Sequence, residues 1–118
     1  MARLTENRKL ANEIREWLLD NDMWVDTRIF FDGHVYDTSD GEHYYYNDRE
    51  HLVEYDDDPS RYVEYYSKDG ITMTFEGPLY DLLNYDDYSE LCDEFWTLFR
   101  KHGLWFELGY AWSLSTFK

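Results

Sequence analysis

Cysteine occurs once in the 118 residues, at Cys92, which excludes an internal disulfide and any zinc site built from several thiolates. Glycine is sparse and scattered, six in all, and neither GxGxxG nor a Walker-type GxxxxGK motif occurs. Without such a loop there is no backbone cradle for phosphate, so nucleotide chemistry is not expected. No apolar run approaches the ~18 residues a membrane-spanning helix needs. The opening stretch MARLTENRKLANEIREW also lacks the apolar core of a signal peptide, and the expected compartment is the cytoplasm. Positive charge is scarcest relative to its opposite. Eleven Lys+Arg against 26 Asp+Glu leave a net charge of −15 and a pI near 4.4. Such a field repels nucleic acid and anionic membrane and attracts basic protein surfaces.

Aromatic residues are abundant instead. Twelve Tyr, seven Phe and five Trp make up 20% of the chain, a content that separates it from disordered acidic proteins. The length suits one domain, residues 1–118, with a single core. Rings and carboxylates interleave most densely in His43 to Tyr66, HYYYNDREHLVEYDDDPSRYVEYY.

Residues 5–20 carry Leu10, Ala11, Ile14, Trp17 and Leu18 at the spacing of one buried helical stripe, with Thr5 as N-cap and Arg8, Asn12 and Arg15 on the opposite face. The period then changes to two. VDTRIFF and HVYDT read as strands joined by Asp32-Gly33, a type I′ hairpin signal. Ser39–Glu42 reads as a second turn, and His43–Tyr46 as a third strand of a meander. HLVEY fits either a short strand or a helical turn. Asp56–Ser60 is a loop around Pro59. RYVEYYS resumes strand character, Lys68–Gly70 turns, and ITMTFE alternates with Ile71, Met73 and Phe75 on one face.

Gly77-Pro78 opens a short helix, PLYDLLN. Asp87 with Glu90 resembles a capping box for a helix running to about His102. Its apolar stripe is Tyr88, Leu91, Cys92, Phe95, Trp96 and Phe99, and Gly103 fits the left-handed stop. LWFELGYAWSLSTF reads as one long strand, with Leu104, Phe106, Leu108, Tyr110, Trp112 and Leu114 on one face. Gly109 hints at a bulge there. The expected fold class is α+β: a mostly antiparallel sheet of about five to six strands, with the N-terminal helix and the later helix packed on it.

Chemistry-bearing motifs are few. Asp37–Gly41 superficially resembles a calcium loop, but aligning Gly41 to the loop glycine leaves Asn47 where the bidentate Glu belongs. His34, His43 and His51 lack HxH or HExxH spacing, Cys92 sits on an apolar helical stripe, and Ser113 and Ser115 lie on a strand and not in a GxSxG elbow. Among 26 acids, a glycosidase-like pair arises by chance. No catalytic, metal or cofactor residue is therefore assigned, and an enzyme or ligand-binding domain is the third reading.

The leading expectation is a binding surface. Twelve acids in residues 32–69, opposed only by Arg49, Arg61 and Lys68, give −9 over 38 residues. Carboxylates ~6.6 Å apart along strands would imitate a phosphate backbone, and tyrosine adds contact area at low entropy cost. Tyr44 and Tyr46 oppose Tyr45, so rings fall on both faces. The candidate partner-binding residues begin with Asp37, Asp40, Glu42, Tyr45, Asp48 and Glu50. They continue with Glu54, Tyr55, Asp56, Asp57, Asp58, Glu64 and Tyr65. The chain resembles, in size and charge alone, the small acidic inhibitors that phages and mobile elements direct against restriction or CRISPR nucleases. The resemblance implies a non-enzymatic nucleic-acid mimic that blocks a basic groove. Immunity proteins that neutralise a basic toxin are the second reading. No residue role is carried over from either, and monomer and dimer both stay open.

Overall fold

The helical stripe, the alternating segments and the turn residues assemble into one six-stranded sheet with three helices in a computed structural model that describes residues 5–118. Helix α1 spans Glu6–Asp20, and the Thr5 hydroxyl accepts from the Arg8 amide as expected of an N-cap. Leu10, Ala11, Ile14, Leu18 and Leu19 are its buried stripe. Arg15 departs from expectation, because it is buried too. Its guanidinium lies 5.9 Å from the Trp24 ring and donates to the carbonyls of Asp48 and Arg49. Burial holds its pKa below the usual arginine value.

Strands β1 (Thr27–Phe31) and β2 (His34–Asp37) form the expected hairpin. Asp32 at φ 51° and Gly33 at φ 82° provide the two left-handed residues of a type I′ turn. Gly33→Ala is expected to cost about 1 kcal/mol, read by urea unfolding, because a Cβ disfavours that φ. The Cβ itself would meet no neighbour within 4 Å, so a larger loss would point to something other than backbone strain.

The meander's third strand is not His43–Tyr46. Only an isolated Ser39–Tyr44 bridge forms there, and β3 is Val53–Asp56, paired antiparallel with β2. The Asp40 carboxylate captures the amides of Glu42 and His43 at 2.9 and 2.7 Å, turning the chain where a strand would extend. RYVEYYS is not a strand either. Pro59–Arg61 makes a 3-10 turn capped by Asp58. Residues 57–70 then cross the helix-free face of β2 and β1 to reach β4 (Ile71–Phe75). Tyr62 packs on Phe30 and Val63 is buried on the way. That cover explains why all five residues of β4 are buried, not just Ile71, Met73 and Phe75. Thr72 meets Ser115 at 3.1 Å beneath it.

Helix α2 is Pro78–Tyr85 and α3 is Glu90–Arg100. The α3 cap is Ser89, whose hydroxyl accepts from the Cys92 amide, and not Asp87. Tyr88 consequently precedes the helix and is 98% exposed instead of joining the apolar stripe. Gly103, at φ 73°, supplies the left-handed stop. The C-terminal stretch folds back on itself as β5 (Trp105–Leu108) and β6 (Ser113–Phe117), where one long strand was expected. Gly109 begins the turn between them, with Tyr110 and Trp112 stacked at 4.9 Å. Alternation simply continued through the turn, so periodicity could not reveal it.

The sheet order is β3-β2-β1-β4-β6-β5, antiparallel throughout. One face, bearing Ile29, Phe31, Met73, Phe75, Phe106 and Leu114, meets the helices. Phe95, Phe99 and Phe106 join edge-to-face at 4.8–5.6 Å. Each such ring fully buried contributes about 2–3 kcal/mol of apolar transfer. Among the described residues, no helix is long and apolar enough to cross a membrane.

Candidate functional site

The tertiary structure divides the expected acidic surface into carboxylates that hold the fold and carboxylates left to solvent. Asp37 belongs to the first group. It sits 6% exposed on the helix-free face of β2, accepting from Arg28 Nε at 3.0 Å, the Tyr55 hydroxyl at 2.6 Å and the Ser39 amide at 3.1 Å. Burial, reinforced by the bond to Asp37, raises the Tyr55 pKa, so Tyr55 stays a donor at neutral pH. The Asp37 carboxylate and the Tyr55 hydroxyl are thus engaged in bonds within the fold.

Asp40 is exposed but occupied. Its bonds from the His43 and Glu42 amides, helped by the Tyr45 hydroxyl, hold its carboxyl down to about 2. The folded value lies below the unfolded ~3.9, so this stabilisation is complete above about pH 4 and is lost as pH falls toward 2. Carbon-13 NMR titration is expected to place the Asp40 midpoint near 2, with the Glu42 and His43 amides shifting in the same step. A midpoint near 4 would show that the turn is not held this way. Tyr45 stacks on His51 at 4.9 Å, and Asp48 accepts from His51 Nδ1 at 2.5 Å.

Further along, Glu54 grips Arg8 of α1 through two bonds of 2.9 and 3.0 Å. Asp56 pairs with His34 at 2.7 Å. Asp57 accepts from Arg61, Tyr62 and the Asp58 amide, while Asp58 caps the 3-10 turn. These carboxylates lie on strands and loops with partners inside the fold and do not form the rows expected from strands at 43–46 and 61–67. Glu42, Glu50 and Glu64 are exposed without an ion pair among the described residues, and Tyr65 is 66% exposed. His34, His43 and His51 each face a nearby acid: Asp56, Asp40 and Asp48 in turn. No group of three or more His, Cys, Asp or Glu among the described residues is placed to hold a metal.

A second acidic surface lies outside the expected segment. Between Lys68 and Arg100 there is no Lys or Arg, but eight acids. Seven of them, Glu76, Asp81, Asp86, Asp87, Glu90, Asp93 and Glu94, occupy α2, the start of α3 and the turns beside them. All seven are exposed, and none makes an ion pair among the described residues. Glu90 and Asp93 complement the α3 N-terminus, and Glu94 accepts from the Trp17 indole. Asp86 is the C-cap of α2, where a carboxylate gains nothing from the helix dipole, and Asp87 caps neither helix. Tyr85 and Tyr88 stand beside them, 73% and 98% exposed. The signal was readable as a run free of cations, but it is masked by the more conspicuous tyrosine run upstream.

The turn joining α2 to α3 thus offers unpaired negative charge with two protruding phenols. Chemically this suits contact with Lys and Arg side chains, through charge and through cation–π attraction to the rings. No protein-family model, curated protein or solved structure matches the chain.

Proposed function

We propose that this chain is a non-enzymatic, protein-binding inhibitor that covers a basic nucleic-acid-binding groove, as phage and mobile-element anti-defence proteins do to restriction or CRISPR nucleases. The observation that carries the reading is the unpaired acidic surface at the α2–α3 turn with Tyr85 and Tyr88 exposed beside it. Self-repulsion in a chain of −15 opposes the compact state. A surface whose seven acids, close in sequence, make no ion pair among the described residues gives up local compensation that a basic partner would restore. Release of counterions from both surfaces would then drive association at low salt.

Competition decides it. Purified restriction and RNA-guided nucleases would be titrated with the protein, reading nucleic-acid binding and cleavage at low and moderate salt. The proposal expects inhibition of at least one such nuclease, relieved by excess DNA and weakened by salt. A single tight partner whose binding ignores DNA would favour the immunity-type reading. Inhibition of none would overturn the mimic.

A further inference from the structure

The start of α1, the loop at 66–70, the end of α3 and the end of β6 enclose a cleft of about 880 Å³, within the size range of small-molecule sites. Its walls gather Lys68, Lys101 and Lys118 with His102, an unusual concentration in a chain of only 11 Lys+Arg. Of the cationic side chains among the described residues, Arg8, Lys9, Arg28, Arg49, Arg61 and Lys101 pair with a carboxylate. Arg15 is buried against carbonyls. Lys68, Arg100 and Lys118 remain without an ion pair there, and two of those three face this one cleft.

Acids outnumber Lys+Arg by more than two to one, so pairing is the easy outcome and its failure at one place is informative. Neither acid on the cleft wall, Glu6 or Asp69, forms an ion pair with these two lysines. Glu6 lies 3.1 Å from Lys9 and 3.8 Å from His102, and Asp69 makes no ion pair with either lysine. Apolar surface adjoins the charge: Leu104 and Phe117 line the same cavity, with Phe117 42% exposed. Gly70 lets the 66–70 loop press against β6, since a Cβ there would come within 2.4 Å of Thr116 Oγ1 and 2.5 Å of Ser67 Oγ.

We propose that this cleft binds a small organic anion, its acidic head held by Lys68 and Lys118 and its flat apolar body laid on Leu104 and Phe117. The site is independent of the acidic α2–α3 surface, and neither proposal requires the other.

Two dyes with one skeleton test it. 8-Anilinonaphthalene-1-sulfonate carries the anionic head and N-phenyl-1-naphthylamine lacks it. Titrated into the full chain, the sulfonate dye is expected to saturate at one per molecule and to shift amides in 66–70 and 116–118. Lys68→Ala with Lys118→Ala should weaken it at least tenfold and leave the uncharged dye within twofold, with the circular dichroism spectrum unchanged. Failure of the sulfonate dye to saturate would overturn the proposal. So would amide shifts elsewhere, or equal binding of both dyes indifferent to the lysines.

Discussion

Changing Asp86→Lys and Asp87→Lys together with Tyr88→Ala is expected to weaken binding to an inhibited nuclease by on the order of a hundredfold, mainly through slower association. The three positions lie in the turn between α2 and α3, outside both helices, and all are exposed. Substitutions of this kind usually change stability by only about 0.5 kcal/mol, so a loss of binding would not be a loss of fold. The wild-type advantage should also shrink as salt rises, since screening removes what the charges supply. Reversing Asp56, Asp57 and Asp58 to lysine makes the informative contrast. Asp57 holds Arg61 and Tyr62, and Asp58 caps the 3-10 turn. That triple change should therefore loosen residues 57–63 and lower thermal stability, with a smaller effect on binding. Stopped-flow association rates and thermal melts of both variants check the pair of expectations. Equal binding by wild type and the α2–α3 variant would remove that surface from the proposal.

Asp37→Ala should cost about 3 kcal/mol, or a fall in Tm of roughly 10 °C for a chain of this size. The substitution removes three hydrogen bonds at once and strands Arg28 and the Tyr55 hydroxyl on a covered sheet face. Fully buried pairs lose about 3–5 kcal/mol when one partner goes. Arg28 is still 38% exposed at its side chain and lies 4.9 Å over Tyr62, so water and the ring offset part of the penalty. Asp37→Asn, which keeps the shape and one acceptor, should lose less. Urea unfolding reads both, and a loss under about 1 kcal/mol for Asp37→Ala would show that this network contributes little to stability. Because Asp37 looked like a surface acid, this result also separates folding carboxylates from binding ones.

The fold class was legible because local signals agreed with one another. Helix α1 had a stripe and a cap, Asp32-Gly33 admits a type I′ turn, and Gly77-Pro78 and Gly103 mark helix ends. Three readings failed for one shared reason: alternation reports exposure to two environments and not pairing. HYYYN alternates, but Asp40 takes the amides a ladder would need. RYVEYYS alternates while crossing the sheet, and LWFELGYAWSLSTF alternates straight through a hairpin. Strand pairing is a contact between distant segments, and nothing in residues 43–46 says whether β2 is flanked by them or by 53–56.

The acidic surface divides along the same line. Composition alone determined the net charge and the supply of carboxylates and rings. Which carboxylates are free is a matter of what folds against them, because a cation forty residues away neutralises an acid as well as an adjacent one does. Arg8 reaches Glu54 and Arg28 reaches Asp37 only in the folded chain. The stretch from Asp69 to Phe99 has no cation of its own, and among the described residues no distant one forms an ion pair with its exposed acids. Tertiary structure therefore decided which acids stay exposed without an ion pair among the described residues, including Glu42, Glu50 and Glu64 in the tyrosine-rich middle and the run of seven from Glu76 to Glu94 around α2 and the start of α3.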